Sequence, residues 1–208
     1  VLADTYAFYQ EKVQSAVDLR SLYYSELDSY RLIFGEADFI PGFICERFCD
    51  EENRIFLVVQ FLSLSCEIFR KEILAALKKI CQPDGIYERS DTSVRDKEGL
   101  AQISGWIGQE FDTNITIIEN DIKLGVDIAN GQKTGYFLDQ KFNRAAAAKF
   151  CQNKKVLDTF THTGAFGLNA SNSGAKEVIS VDISPEAVEM VNINIKLNHA
   201  EKKMKGVC

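Results

Sequence analysis

Residues 155–184 read KVLDTFTHTGAFGLNASNSGAKEVISVDIS. The run beginning at Val156 leaves an apolar strand at Asp158, the glycine-flanked segment Thr163-Gly164-Ala165-Phe166-Gly167 turns into a short helical stretch, and VISVD closes a second strand on Asp182. Strand, tight glycine turn, helix and acid-terminated strand make half of a nucleotide-type α/β domain. With no side chain at Gly164, a ligand can approach the backbone and the helix N-terminus closely. Asp182 follows Gly164 by 18 residues, the spacing at which a carboxylate takes ribose hydroxyls. The expectation is an adenosine-type cofactor.

Which cofactor turns on the glycines. A dinucleotide fingerprint needs G-x-G-x-x-G so that the backbone can press against a pyrophosphate, whereas here only Gly164 and Gly167 are present and Thr161-His162 occupy the earlier places. S-adenosylmethionine (SAM) carries no phosphate, and its amino-acid tail and sulfonium suit an acid at the strand end such as Asp158. The local reading therefore favours SAM over NAD, with a plain βαβ unit holding a packing glycine as the bland alternative.

The 208 residues suffice for one or two domains, and 46% hydrophobic with 26% charged residues is ordinary for a globular chain. No apolar run is long enough to span a membrane, and VLADTYAFYQ lacks the charged start and apolar core of a signal peptide, so a cytoplasmic location is expected, with no membrane partner. Six scattered cysteines without a CxxC pair, and only two histidines, fit reduced thiols better than a metal site or a disulfide framework. A net charge of −6 offers no basic footprint for nucleic acid, so any RNA is expected to bind weakly.

Upstream, Thr5 to Tyr24 sets Tyr6, Tyr9, Val13, Ala16 and Val17 on one helical stripe. From Arg31, short β-like runs are interrupted by Gly35, Pro41 and Gly42, and IFLVVQFL reads as a buried strand. Phe69, Ile73, Leu77 and Ile80 predict a helix from about Ser65 to Ile80, GIYERS a strand, and TIIENDIKLGVDI a hairpin around Glu119-Asn120-Asp121. GQKTGYFLDQKFNRAAAAKF is a glycine-flanked loop entering an alanine-rich helix. The organisation expected is residues 1–128, an N-terminal helix plus a small α+β domain, then 129–208, the beginning of a parallel-sheet domain. The fold class is α/β.

Taken together, RLIFGEADFIPGFICERFCD, VVQFL, GIYERSDTSVRDKEGL, GQKTGYFLDQKFNR, VLDTFTHTGAFG and VDIS resemble, in order, the blocks of the bacterial SAM-dependent methyltransferases that make 5-methylcytosine in large-subunit ribosomal RNA. The resemblance runs from Arg31 over nearly the whole chain, and the GQKTGYFLDQ tract is its most specific part. It implies a small central α+β domain followed by the first half of a Rossmann-like methyltransferase domain, with an RNA-binding PUA domain preceding them in the family. It also implies that Gln132, Lys133, Thr134, Asp139, Gln140 and Arg144 serve the cofactor, with Lys133, Thr134 and Gln140 reaching its methionine part. Asp158, Phe160, Thr163 and Gly164 would line the SAM loop, and Asp182 with Ile183 would take the ribose end. Singly, Lys133 and Arg144 also read as solvated charges and Asp139 as a helix N-cap.

Methylation of cytosine C5 requires a cysteine thiolate to attack C6 and a base to remove the C5 proton. The target base would also have to leave its stack. The family's Asp-Pro-Pro-type substrate loop has no counterpart among Pro41, Pro83 and Pro185, and none of the six cysteines sits in a nucleophile motif, so no catalytic residue is assigned. With Val1 at one end and KKMKGVC at the other, the chain reads as a piece of a longer protein that binds cofactor without transferring methyl. The partner implied is ribosomal RNA; a homodimer is left open. The competing readings are a methyltransferase for another RNA position, an NAD-binding oxidoreductase, and a noncatalytic module on the same fold.

Overall fold

The structure, a computed structural model, describes residues 4–208. The chain folds as two compact units, one formed by Val1–Asn114 with Asp127–Tyr136, the other by Ile115–Val126 with Phe137–Cys208. From the sequence a single boundary is expected, between residues 128 and 129. Hydrogen bonds described below tie the hairpin before that point to the later helices, while Asp127–Tyr136 belong to the first unit.

In the first unit, α1 (Thr5–Ser21) starts where the Asp4 carboxylate accepts the Ala7 N–H at 3.0 Å, and it buries Tyr9, Val13 and Ala16. Then come β1 (Tyr30–Phe34), β2 (Phe43–Cys49), β3 (Ile55–Phe61), α2 (Leu64–Ile68), α3 (Arg70–Cys81), β4 (Gly85–Ser90), α4 (Ser93–Lys97) and β5 (Ile103–Trp106). The sheet runs in order β1-β2-β3-β4-β5. Only β3 and β4 are parallel, because the helical crossover α2–α3 joins them while turns and loops join the rest. The one helix expected over Ser65–Ile80 is broken at Phe69 (φ −95°, ψ 19°), whose ring meets Tyr9 at 5.6 Å between centroids. Ile73, Ala76 and Leu77 join Val13, Leu32, Phe43 and Phe61 in one core. Arg95, buried, satisfies its guanidinium on the carbonyls of Phe61 and Ala101 and on Glu67. The six cysteines are free thiols, and burial pushes Cys81 up to about 11.

The GQKTG segment closes on itself within this unit. Asp127 Oδ1 accepts the N–H groups of Ala129 and Asn130 at 2.9 and 3.0 Å, and Arg89 donates to the carbonyls of Ile128 and Gly131. A Cβ on Gly131 would lie 2.5 Å from the Asp127 carbonyl oxygen and 2.6 Å from that of Gly135, so no side chain fits there.

The second unit opens with the hairpin β6 (Asn114–Glu119) and β7 (Ile122–Asp127), whose turn residues Asn120 and Asp121 have φ of 52° and 63°, the left-handed pair that the two-residue turn demands. After α5 (Lys141–Ala148) the chain continues as β8 (Lys155–Thr159), α6 (Ala165–Asn172), β9 (Glu177–Val181), α7 (Pro185–Leu197) and β10 (Met204–Val207). The sheet β10-β9-β8 is wholly parallel. One face, with Val178, Ser180 and Met204, is buried among α6 and α7; the other leaves Leu157 66% exposed. β10 has no signature in the sequence, since KKMKGV shows neither alternation nor an apolar run.

Three asparagines hold the hairpin to the helices. Asn198 of the α7 C-cap pairs its amide with both backbone groups of Lys123, at 2.9 and 2.6 Å, and Asn194 accepts the Gly125 N–H at 2.7 Å. Asn120 donates to Asn169 of α6 at 2.9 Å. Among the described residues no helix is long and apolar enough to cross a membrane.

Candidate functional site

The site lies at the C-terminal ends of β8 and β9, where ligands of open α/β sheets bind. Asp158, near the end of β8, points its Oδ2 inward, where it accepts the Thr161 hydroxyl, the Gly167 N–H at 3.0 Å and the Ser180 hydroxyl at 3.0 Å. That carboxylate fixes the turn between strand and helix. Gly167 is confined as tightly as Gly131, since a Cβ there would sit 2.4 Å from Ser180 Oγ.

The turn itself alternates through the left-handed region, with Phe160, His162 and Gly164 at φ of 57°, 55° and 78°. Such backbone in an aromatic residue costs on the order of 1–3 kcal/mol and persists only where its surroundings impose it. Here they do. The Thr161 N–H bonds the Val181 carbonyl at 3.1 Å, the His162 N–H the Asp182 carboxylate at 2.9 Å, and the Gly164 N–H the Thr161 carbonyl at 3.0 Å. From α7, Asn194 donates to the Thr163 carbonyl at 2.9 Å. Thr163 itself is buried.

Asp182 just beyond β9 takes the His162 N–H on Oδ2 and the Ser184 N–H on Oδ1 at 3.1 Å. Backbone bonds from His162, the largest cause, and from Ser184 and Ile183 hold its carboxyl below the usual range. Beside it the apolar Ile183 is 93% exposed, and across the turn Phe160 is 90% exposed. The site thus offers a charged acceptor flanked by two bare apolar side chains. Burial depresses the His162 ring below the ordinary histidine range, so it stands neutral at pH 7 against the edge of Phe137.

Of the residues expected to serve a cofactor, Asp158, Phe160, Thr163, Gly164, Asp182 and Ile183 are brought together here. Asp139 and Gln140 lie in the same unit, in the 3-10 turn before α5, with Gln140 donating to Asp139 at 2.9 Å and accepting from Asn143 at 3.0 Å. Gln140, not Asp139, occupies the N-cap of α5. Arg144 is buried, and it forks onto Glu119 at 2.8 and 3.1 Å and onto the Phe137 carbonyl at 2.9 Å. Gln132, Lys133 and Thr134 belong to the first unit, where Lys133 is exposed with φ 56° and Thr134 is buried with its hydroxyl unpaired. Sequence reasoning missed Thr161, Ser180 and Asn194. A serine inside the apolar alternation VISV was the one available signal for a buried polar partner.

Residues 116–208 match the TRM5/TYW2 methyltransferase domain family. Over 92% of its length the chain is 43% identical to the "Ribosomal RNA large subunit methyltransferase I" of Tolumonas auensis, and over 83% it is 45% identical to that of Aeromonas hydrophila. The chain belongs to the ribosomal RNA large subunit methyltransferase I family. It spans about half the length of these curated relatives, 48% and 43%. A putative SAM-dependent methyltransferase from Streptococcus mutans superposes on all of this family member with a TM-score of 0.82 at 25% identity, 53% of that chain being covered. The family is the one that the sequence blocks resemble.

Proposed function

We propose that the second unit is the SAM-binding portion of a methyltransferase acting on large-subunit ribosomal RNA, at cytosine C5. The observation that carries the cofactor choice is where the turn's N–H groups go. Thr161, His162 and Gly164 all spend theirs inside the protein, so the turn keeps too few donors to cradle a pyrophosphate. The groups that remain suit an adenosine without phosphates. The charged Asp182 carboxylate would take ribose hydroxyls, and exposed Ile183 offers an apolar face to the purine ring. Strain-free only for glycine, position 164 is also tight, with Val191 and Met204 side-chain atoms 3.2 Å from where a Cβ would be, so a methyl there would have to push them back.

Asp158 and Thr163 enter this reading as residues that shape the turn. The bonding of Arg144 to Glu119 favours a structural role for it beneath the turn. The assignment of Lys133, Thr134 and Gln140 to the methionine end, and of Gln132 and Asp139 to the cofactor, rests on the resemblance. When bound, SAM supplies an electrophilic methyl on a sulfonium. The ribosomal RNA substrate follows from the names of the relatives, and the cytoplasm is the matching location. Calorimetric titration with SAM, its demethylated product and NAD tests the proposal: the first two should bind and NAD should not. Binding of NAD with SAM refused would replace it with the oxidoreductase reading.

A further inference from the structure

The net charge of −6 conceals a segregation that the fold reveals. The first unit holds 13 Lys and Arg against 21 Asp and Glu, net −8, whereas the second holds 11 against nine, net +2. Within the second unit the segregation is sharper still. From Lys154 to the end of the chain there are seven cations, and none lies between residues 156 and 175 or between 177 and 195. Six of the seven, Lys154, Lys155, Lys176, Lys202, Lys203 and Lys205, stand where β8, β9 and β10 begin. All six are exposed.

Strand pairing makes these one surface. The Lys176 N–H bonds the Lys154 carbonyl at 2.8 Å, the Val178 N–H bonds the Lys203 carbonyl at 2.7 Å, and Lys155 is in register with Glu177. Neighbouring parallel strands are about 4.8 Å apart, so the lysines cross the sheet edge at a spacing comparable with that of successive phosphates on a nucleic-acid strand. Only Glu177 and Glu201 offset them on this edge, and Glu177 is engaged by Lys155 at 3.0 Å, a bond that with the Lys205 charge holds its carboxyl below the usual range. The opposite edge carries Asp158, Asp182 and Glu186 with no cation on its strand ends or turns. Lys and Arg clustered at one end of a unit form an electrostatic footprint for polyanions.

We infer that the N-terminal edge of the β8-β9-β10 sheet is a second, backbone-reading surface for RNA, separate from the cofactor edge, engaging phosphates through Lys154, Lys176, Lys202 and Lys203. The choice of RNA over an anionic membrane surface rests on the proposed function and on the geometry. The edge is a row of point charges on strand starts, with no amphipathic helix to lie in a lipid interface. It reads charge and spacing and carries no base specificity.

The test uses the intact protein and fluorescence anisotropy with a labelled RNA stem-loop, titrated at several salt concentrations. Two triple variants of equal charge change are compared: Lys154→Glu/Lys176→Glu/Lys203→Glu on this edge, and Lys78→Glu/Lys79→Glu/Lys97→Glu in the first unit. The first should weaken RNA binding by about tenfold or more and lower the log–log salt slope by about 2, at roughly 0.7 for each phosphate no longer neutralised; the second should change affinity by less than about twofold. SAM titration of both variants, unchanged, certifies the fold. Equal weakening by both, no weakening by the first, or capture of the protein by phosphatidylserine vesicles with RNA refused would each overturn the inference. SAM binding retained in those cases would leave the cofactor reading standing.

Discussion

Asp182 accepts backbone N–H groups on both oxygens of its carboxylate and, on the proposed reading, ribose hydroxyls as well. Asp182→Asn keeps the size but replaces one acceptor with a donor, so either the His162 N–H or a sugar hydroxyl loses its partner. SAM binding should weaken by about 10- to 100-fold, the equivalent of about 1.5–3 kcal/mol for a hydrogen bond to a charged group, with the far-ultraviolet circular dichroism retained. Calorimetry reads this directly, and unchanged affinity would remove Asp182 from the site. His162 adds a pH dependence whose sign follows from burial. Its folded value is depressed, so the unfolded chain takes the proton first. The stability it contributes is complete above about pH 6.5 and is lost as the pH falls from there through the folded value. Melting temperatures should fall more steeply between about pH 6.5 and 5 for the native chain than for His162→Gln. Spacing alone made Asp182 legible. It could not reveal that Asp158 faces inward, because a strand-end acid looks the same in sequence whether it meets solvent or a buried serine.

At the scale of elements, α7 is the brace of the site. Asn194, fully buried, accepts from Gly125 on the hairpin and donates to Thr163 on the turn, so one side chain joins three elements. Asn194→Ala leaves a part-buried N–H and a buried carbonyl without their partners, the buried one costing about 1–3 kcal/mol. Hydrogen exchange should therefore accelerate in β7 and at residues 163–166 together, and acceleration confined to one of them would show that the brace is not shared. The sequence made this region half legible. Glu119-Asn120-Asp121 between alternating runs announced the hairpin, and Val156 announced the first parallel strand. What the hairpin would pack against was hidden, because asparagines at helical spacing read as a solvated face. β10 was hidden for another reason: Met204 is the one residue it buries, too little to mark a strand.

For the whole molecule, the two units give SAM binding a map as well as an affinity. With SAM in excess of its dissociation constant by about a hundredfold, the binding state gains about 2.7 kcal/mol. Exchange should slow at residues 160–166 and 182–183. It should also slow at 132–134 if the resemblance assigns those residues rightly. Protection absent there would restrict the cofactor site to the second unit. The acidic first unit and the lysine-edged second unit were invisible as such in the composition, which gives only their sum.

The interleaving of the units also bears on how such genes can recombine. The chain passes between units at residues 114/115, 126/127 and 136/137, so no single breakpoint separates one set of partners from the other. A crossover between residues 126 and 136 in two diverged relatives would deliver Glu119 and Asn120 from one parent and Arg144 and Asn169 from the other. Chimaeras joined there should inherit mismatched pairs, whereas exchanges before the hairpin would pass it on with its helices, and lineages should carry residues 115–126 and 137–208 as one heritable block.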